Sequence, residues 1–579
     1  MGRGPSVLLA GLLACLASGA CGPSPEADRA AGRQLLSRWR PRRSVSDLDR
    51  GAVGGPLPPA AVWGFTETAL PAGIAWRHRL ATPELRNIVD GVGAGAAFAD
   101  LDADGWLDLI LLGGPRSPEP GVSPKDHAGL AVYKNLRNGL FEDVTARTGI
   151  PPGSTAVAVA AGDVDGDGLR DVYLVDRGPN RLYRNKGGFV FEDVTKKAGV
   201  GDARFGIGAV FFDMDGDGDL DLFVANYLEY DPGERSFYAP DAYPGPAAYK
   251  AEASVLYRNR GDGVFEDVSA ASGVGAAEGR AMSVAAFDAD ADGRTDVFVA
   301  NDVTENFLWM NRGGGRFVEA GGLAGVAYGE QGERTSAMAA DVGDVDGDGR
   351  PDLAVSDNAY GTLYRSTAPG RFRDIARRSG VSAVCAQHVS WGQNLIDYDN
   401  DGTLDLFIAQ ADLQHLNGWE PLLLKNDGRA RFTDVSAEGG PPFSRRLVAR
   451  SSIVGDYDND GDEDILVTVL GDLPVLLRND NPPKNSWITL DLVGAKARDP
   501  FGARVEVEAG GRRWAAECRD RTAYLGQSDP RLHFGLGPGV RKADRILVTW
   551  PGGGTLTLDD VPARQILAIR QDDQPAASR

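Results

Sequence analysis

Residues 163–171 read DVDGDGLRD, and the same frame of four aspartates and one glycine stands six more times in the chain. The copies place carboxylates at Asp100, Asp102, Asp104 and Asp108; Asp163, Asp165, Asp167 and Asp171; Asp213, Asp215, Asp217 and Asp221; and Asp288, Asp290, Asp292 and Asp296. The remaining three hold Asp344, Asp346, Asp348 and Asp352; Asp397, Asp399, Asp401 and Asp405; and Asp456, Asp458, Asp460 and Asp464. The spacing opens like an EF-hand loop, which needs a glutamate at position twelve and a helix on each side. Here position twelve is Leu174, and the flanks VAVAA and VYLV are short β-branched runs that read as strands. The loop therefore joins the two strands of a hairpin, with a fourth aspartate at position nine in place of the glutamate. A hard cation that tolerates flexible geometry takes oxygens from alternate side chains of such a turn and from a main-chain carbonyl at position seven. One acidic turn would be merely solvated, but seven intact copies point to metal, and the expected cofactor is Ca²⁺, up to seven ions.

The charge agrees. The formal net charge is −21, and seven divalent ions would leave about −7, an ordinary value for a soluble protein. Such acidity, with no sustained basic stripe, argues against a nucleic-acid partner.

The copies recur at a period of roughly 50–75 residues, the mark of a repeat architecture. After each loop comes a second apolar strand and then a phrase such as LYRNKGGFVFEDVTKKAGV (Leu182 to Val200) or LYRNRGDGVFEDVSAASGV (Leu256 to Val274). Each repeat thus supplies four short antiparallel strands, and seven repeats predict an all-β chain folded as a seven-bladed β-propeller. The seventh repeat lacks the FxDVT phrase, while an isolated FTETALPAGI (Phe65 to Ile74) precedes the first loop. That segment is expected to complete the seventh blade, removing an open sheet edge and closing the ring.

At the N-terminus Arg3, the apolar run Val7 to Ala17 and the small residues leading to Cys21 read as a secretory signal peptide. The run is too short to favour a spanning helix. Residues 22–61, rich in Ala, Pro, Gly and Arg, read as a flexible tether. Beyond the leader only Cys385 and Cys518 remain, one disulfide or two free thiols.

These repeats resemble the FG-GAP/VCBS type of integrin α-subunit heads, and the whole arrangement is similar to the cartilage acidic protein family with its C-terminal ASPIC/UnbV domain. The tail motifs NSWITLDLVG (Asn485 to Gly494), FGARV (Phe501 to Val505), GQSDPRLHFGLG (Gly526 to Gly537) and VTWPGG (Val548 to Gly553) carry the second resemblance. It covers roughly residues 62–570 and divides the chain into a repeat region, 62–483, a small β-rich, sandwich-like domain, 484–570, and a tail, 571–579. It implies an extracellular, calcium-stabilised propeller that binds or adheres to a ligand. Cys21, followed by Gly22, resembles the acylated cysteine of a bacterial lipoprotein, which implies a membrane tether; LLAC, ending at Cys15, is a competing site, and plain secretion is the alternative. The family's cysteines in the third repeat's insertion are absent here, and GQSDP stands where SQSDP is commoner.

That insertion, Tyr227 to Lys250, gathers aromatic rings, of which Tyr230, Phe237, Tyr238 and Tyr243 are candidate ligand contacts. The other reading is that these rings cover the repeat region or pack on the tail domain. The histidines His78, His127, His388, His415 and His533 are scattered, and no HExxH, GxSxG or phosphate-cradling glycine loop occurs. The function expected is a non-enzymatic binding or adhesion module, monomeric, secreted or in the cell envelope, with a protein or glycan ligand. A polysaccharide lyase or hydrolase and a passive envelope scaffold are the alternatives.

Overall fold

A computed structural model describes residues 53–57, 59, 64–80, 83–114, 129–151, 153–236, 242–386, 388–480 and 485–573. The leader, Cys15, Cys21, nearly all of the tether, His127 and the tail beyond residue 573 lie outside the described residues. In the second repeat Ala158–Gly162 runs into the acidic loop, Asp171–Val175 runs out of it, and Arg181–Asn185 and Phe191–Asp193 follow as third and fourth strands. All three pairings are antiparallel, and the first sets Gly162 opposite Asp171, so the loop is a hairpin turn as expected. The first two strands are buried along their whole length, because alanine and valine on both faces leave no side for water. The fourth strand is short and half solvated, with Phe191 turned in and Glu192 and Asp193 out.

The third to sixth repeats form four-stranded sheets of the same order. This topology corrects the expected seven-bladed β-propeller. The strands fall into ten separate sheets among the described residues, and no sheet closes into a barrel or propeller. The physical reason is that each four-stranded meander satisfies its ladder hydrogen bonds internally, so one sheet does not run on into the next. Side chains join neighbours instead. Asn185 of the second repeat donates to Leu101 O of the first at 2.8 Å, Asn259 of the third to Val164 O at 2.8 Å, and Asn135 of the first to Tyr457 O of the seventh at 2.8 Å.

The N-terminal strand Phe65–Glu67 pairs antiparallel with Val475–Asn479, giving the seventh sheet its fourth strand. Phe65 is buried against Phe443, with ring centroids 5.5 Å apart. The third repeat's insertion adds a small sheet of Leu228–Glu229, Lys250–Ala253 and Glu278–Gly279.

Residues 485–573 form one sheet of three strands, with Asn485–Val493 between Leu532–Pro538 and Ile566–Arg570, and one of four, Arg512–Glu517, Arg504–Ala509, Lys542–Thr549 and Thr555–Pro562. Ile488, Leu490, Val505, Val507, Ile546 and Val548 from the two sheets share one core, which continues into the repeats. Cys385 and Cys518 are both buried and free, so no disulfide joins them. No helix among the described residues is long and apolar enough to cross a membrane.

Candidate metal centres

Each acidic loop folds on its own aspartates. Asp163 Oδ1 accepts from the amides of Gly166 and Asp167 at 2.9 and 3.1 Å, and its Oδ2 accepts from Gly168 at 3.0 Å. Asp167 Oδ1 accepts from Leu169 N at 3.0 Å. Asp171 is tied by Val164 N at 3.1 Å and by Asn185 N at 2.7 Å. The first, fifth and ninth positions thus hold the turn in shape.

The third position is different. Asp102, Asp165, Asp215, Asp290, Asp346 and Asp458 each keep Oδ1 buried with no hydrogen-bond partner. In five of these the other oxygen meets a basic residue of the same repeat: Asp102 with Lys134, Asp165 with Arg184, Asp215 with Arg258 at 2.7 Å, and Asp290 and Asp346 with Arg312 and Arg365, each at 3.4 Å. A buried acceptor without a donor costs about 1–3 kcal/mol, more when charged. The same atom orphaned in six loops is the pattern expected of an oxygen reserved for a cation. Oxygens of Asp100, Asp102 and Asp108 lie within 4.8 Å of one another, as do those of Asp163, Asp165 and Asp171, of Asp213, Asp215 and Asp221, of Asp288, Asp290 and Asp296, and of Asp344, Asp346 and Asp348. These carboxylate groups can chelate a divalent ion.

In the sixth loop Lys425 Nζ stands 2.7 Å from Asp399 Oδ1, 2.7 Å from Asp401 Oδ2 and 3.3 Å from Asp405 Oδ2. Its ammonium competes there with any metal.

The electrostatics are those of crowded acids. Burial first, then the neighbouring aspartates, pushes the carboxyls of Asp108, Asp171, Asp296 and Asp352 up to about 8. The same causes raise Asp163, Asp213, Asp288 and Asp344.

Residues 485–573 cover the loops, largely with basic groups. Arg498 reaches the first loop at Asp100, and its backbone N–H donates to Asp163 Oδ2 of the second at 2.8 Å. Lys496 meets Asp219 of the third at 2.7 Å, and Glu517 accepts from Asp288 N of the fourth at 3.0 Å. Arg504 donates to Gly349 O, Arg512 to Asp401 O, and Arg531 to Asp456 O, of the fifth, sixth and seventh. A buried pair, Arg170 with Asp499 at 2.7 Å, locks the cover to the second loop.

From this cover the segment Arg519–Asp529 runs in among the first strands of all seven repeats. Gly526–Gln527 adds to the first sheet, parallel to Ala96–Ala99, and Gln527 bonds Ala161 N and O of the second repeat at 2.8 and 3.0 Å. Asp520 accepts from Phe211 N of the third, Thr522 donates to Val284 O of the fourth, and Arg519 pairs with Asp341 of the fifth. Arg521 donates to Leu395 O of the sixth, and Asp529 N donates to Val454 O of the seventh at 2.9 Å. The GQSDP motif is thus part of a plug.

The aromatic insertion is split. Tyr243 is buried and its hydroxyl donates to Leu413 O at 2.9 Å. Tyr230 is half-buried against Tyr249, with centroids 5.6 Å apart. Phe237 and Tyr238 lie outside the described residues. The described histidines have separate surroundings: His78 accepts from Gly471 N, His388 stacks on Trp419, His415 meets Asp412, and His533 bonds Thr489 and Asn400.

Sequence reasoning found the loop aspartates but missed three groups of residues. A basic residue in the LYRN phrase, or Arg312 just after LWMN in the fourth repeat, sits over its own loop, the phrase's asparagine bridges sheets except in the fifth repeat, where Ser366 stands, and the cover's Lys496, Arg498, Arg504, Arg512 and Arg531 face the acids. The first two were visible as repeated letters. The third had no repeat to mark it.

Seven acidic hairpin loops on short antiparallel sheets, under a basic cover, define a β repeat protein equipped to chelate divalent cations. The FG-GAP-like repeat model matches residues 100–174, 163–224, 247–299, 288–355, 344–408 and 397–467, and the ASPIC and UnbV model matches residues 494–576. The chain belongs to the FG-GAP-like repeat family, with a C-terminal ASPIC and UnbV region. It is similar to cartilage acidic protein 1 of Homo sapiens, 26% identical over 521 residues covering 84% of this chain and 73% of that one. The Mus musculus protein of the same name is 26% identical over 529 residues, covering 85% and 75%. Among solved structures, an Agrocybe aegerita lectin recognising non-reducing terminal N-acetylglucosamine is 18% identical with a TM-score of 0.36, covering 64% of this chain and 92% of that one. BBS1N in its complex with ARL6DN is 9% identical with a TM-score of 0.37, covering 73% and 98%. Both structural likenesses are too slight to bear on function.

Proposed function

We propose that the chain is a calcium-binding module of the cell exterior or envelope that engages a protein or glycan ligand, its ions acting as structural parts of the loops. The observation that carries the metal reading is the third-position Oδ1, buried and unpartnered in six of seven loops. In each loop the aspartates at positions one, three, five and nine are the proposed ligands. Calcium fits better than magnesium because a flexible all-oxygen turn of this kind does not impose strict octahedral geometry. The leader ending at Cys21 supports a place outside the cytoplasm, where calcium is plentiful, with a lipid tether through that cysteine.

The test is thermal unfolding with calcium and with EGTA. Sites of the extracellular class bind with Kd of roughly 10⁻⁴–10⁻³ M, so each contributes about 1.4 kcal/mol at tenfold excess of ion. A large drop in melting temperature in EGTA, restored by calcium, is expected. A melting curve indifferent to both would refute the metal reading.

A further inference from the structure

The seven acidic loops are not alike at their third position. In the sixth loop Asp399 Oδ1 accepts from Lys425 Nζ at 2.7 Å, whereas the equivalent Oδ1 is buried and unpartnered in the other six. The same nitrogen donates to Asp401 Oδ2 at 2.7 Å and to Asp405 Oδ2 at 3.3 Å. An ammonium has three N–H donors, and here they meet the carboxylates of the third, fifth and ninth positions. Those are three of the side chains on which a cation in such a loop would draw. The Tyr398 ring, with its centroid 5.1 Å from Nζ, adds a cation–π contact, and the Lys425 side chain is only 24% exposed.

Lys425 stands at the place of the basic residue in the LYRN phrase, and its counterparts behave differently. Arg184, Arg258 and Arg365 meet Oδ2 of Asp165, Asp215 and Asp346, and Oδ1 of each aspartate stays without a partner. A guanidinium is planar with its donors in a fixed fork, so it does not converge on three carboxylates as a compact ammonium does. Lysine alone is not the cause. In the first loop Lys134 meets Oδ2 of Asp102 and of Asp104 and leaves Asp102 Oδ1 unpartnered. What sets the sixth loop apart is that its ammonium also reaches the ninth-position Asp405, whose side chain is fully buried. A divalent ion on the same oxygens would have to displace that charge, because two cations so close repel each other strongly. We propose that Lys425 is the resident cation of the sixth loop, which stays metal-free while the other six take their ions. The proposal rests on the metal reading above and deepens it: Asp397, Asp399, Asp401 and Asp405 ligate a metal only once Lys425 is displaced.

The experiment counts calcium bound per full chain by equilibrium dialysis, at free calcium up to about 10 mM, above the roughly 10⁻⁴–10⁻³ M Kd of extracellular sites. The proteins compared are wild type, Lys425→Arg, Lys425→Met and, as a control, Lys134→Arg, each with melting curves in EGTA and in calcium. Arginine is what the second and third repeats carry at this place, so Lys425→Arg keeps the fold even if Lys425→Met does not. One ion more than wild type is expected in each Lys425 variant and none more in the control. Calcium should also raise the melting temperature of Lys425→Met by more than it raises that of wild type. Seven ions on the wild-type chain would overturn the proposal, as would equal counts in wild type and both Lys425 variants. An extra ion in Lys134→Arg would overturn the orphaned-oxygen criterion on which it stands. Equal counts with calcium-dependent melting would remove the proposal and leave the metal reading, whereas no bound ion and calcium-indifferent melting in all four proteins would remove both.

Discussion

Position four of every acidic loop has a left-handed backbone. It is glycine at Gly166, Gly216 and Gly347 and asparagine at Asn400 and Asn459, residues that accept this region readily. It is alanine at Ala103 and Ala291, with φ of 56° and 58°, where the Cβ costs roughly 1–2 kcal/mol. Ala103→Gly and Ala291→Gly should each stabilise the protein by about 1 kcal/mol, read as a rise in melting temperature in calcium. A fall would mean that another contact of the methyl outweighs the strain. The loop acids also set a pH dependence. Asp108, Asp171, Asp296 and Asp352 have folded pKa values of about 8, above the unfolded value near 3.9, so the folded chain holds more protons. That contribution is complete below about pH 4 and is lost as pH rises to about 8. The chelated protein should therefore melt higher at pH 6 than at pH 8, and on the proposed reading, in which calcium takes the place of those protons, added calcium should flatten or reverse the slope. Chelated protein that melts higher at pH 8 would contradict the assignment.

At the scale of elements, the N-terminal strand is borrowed by the seventh sheet from the opposite end of the repeat region. Phe65 faces Asn479 and Glu67 faces Leu477, and Phe65 also meets Tyr398 of the sixth repeat at 6.5 Å between centroids. Phe65→Ala leaves a cavity shared by the sixth and seventh sheets and should cost about 3–5 kcal/mol, measured by denaturant unfolding, with every loop aspartate still in place. A cost under about 1 kcal/mol would show that the strand is peripheral. The missing FxDVT phrase and the orphan FTE were enough to predict this pairing from the sequence. The joining of sheets by asparagine side chains, in place of a closed propeller, was not, because a repeated letter does not say whether its partner is in the same sheet or the next.

For the whole molecule, the plug is the part that touches every repeat. Gln527 satisfies both backbone groups of Ala161 from a fully buried position. Gln527→Ala leaves a buried N–H and C=O unpaired at about 1–3 kcal/mol each, so it should destabilise the repeats and the cover together in one transition. Two separate transitions, with only the cover lost early, would show that the repeats stand without the plug.

The sequence by itself determined the local chemistry. Alternating aspartates around a glycine, set between β-branched runs, can only turn as an acidic hairpin, and seven copies on short meanders follow from short-range hydrogen bonding and apolar burial. Tertiary structure alone decided what the loops face. Arg498, Lys496 and Gln527 stand hundreds of residues from Asp163, Asp219 and Ala161, and no local periodicity carries a contact of that range. It also decided that Tyr243 is buried with its hydroxyl on Leu413 O, since burial of a polar atom depends on every element packed around it.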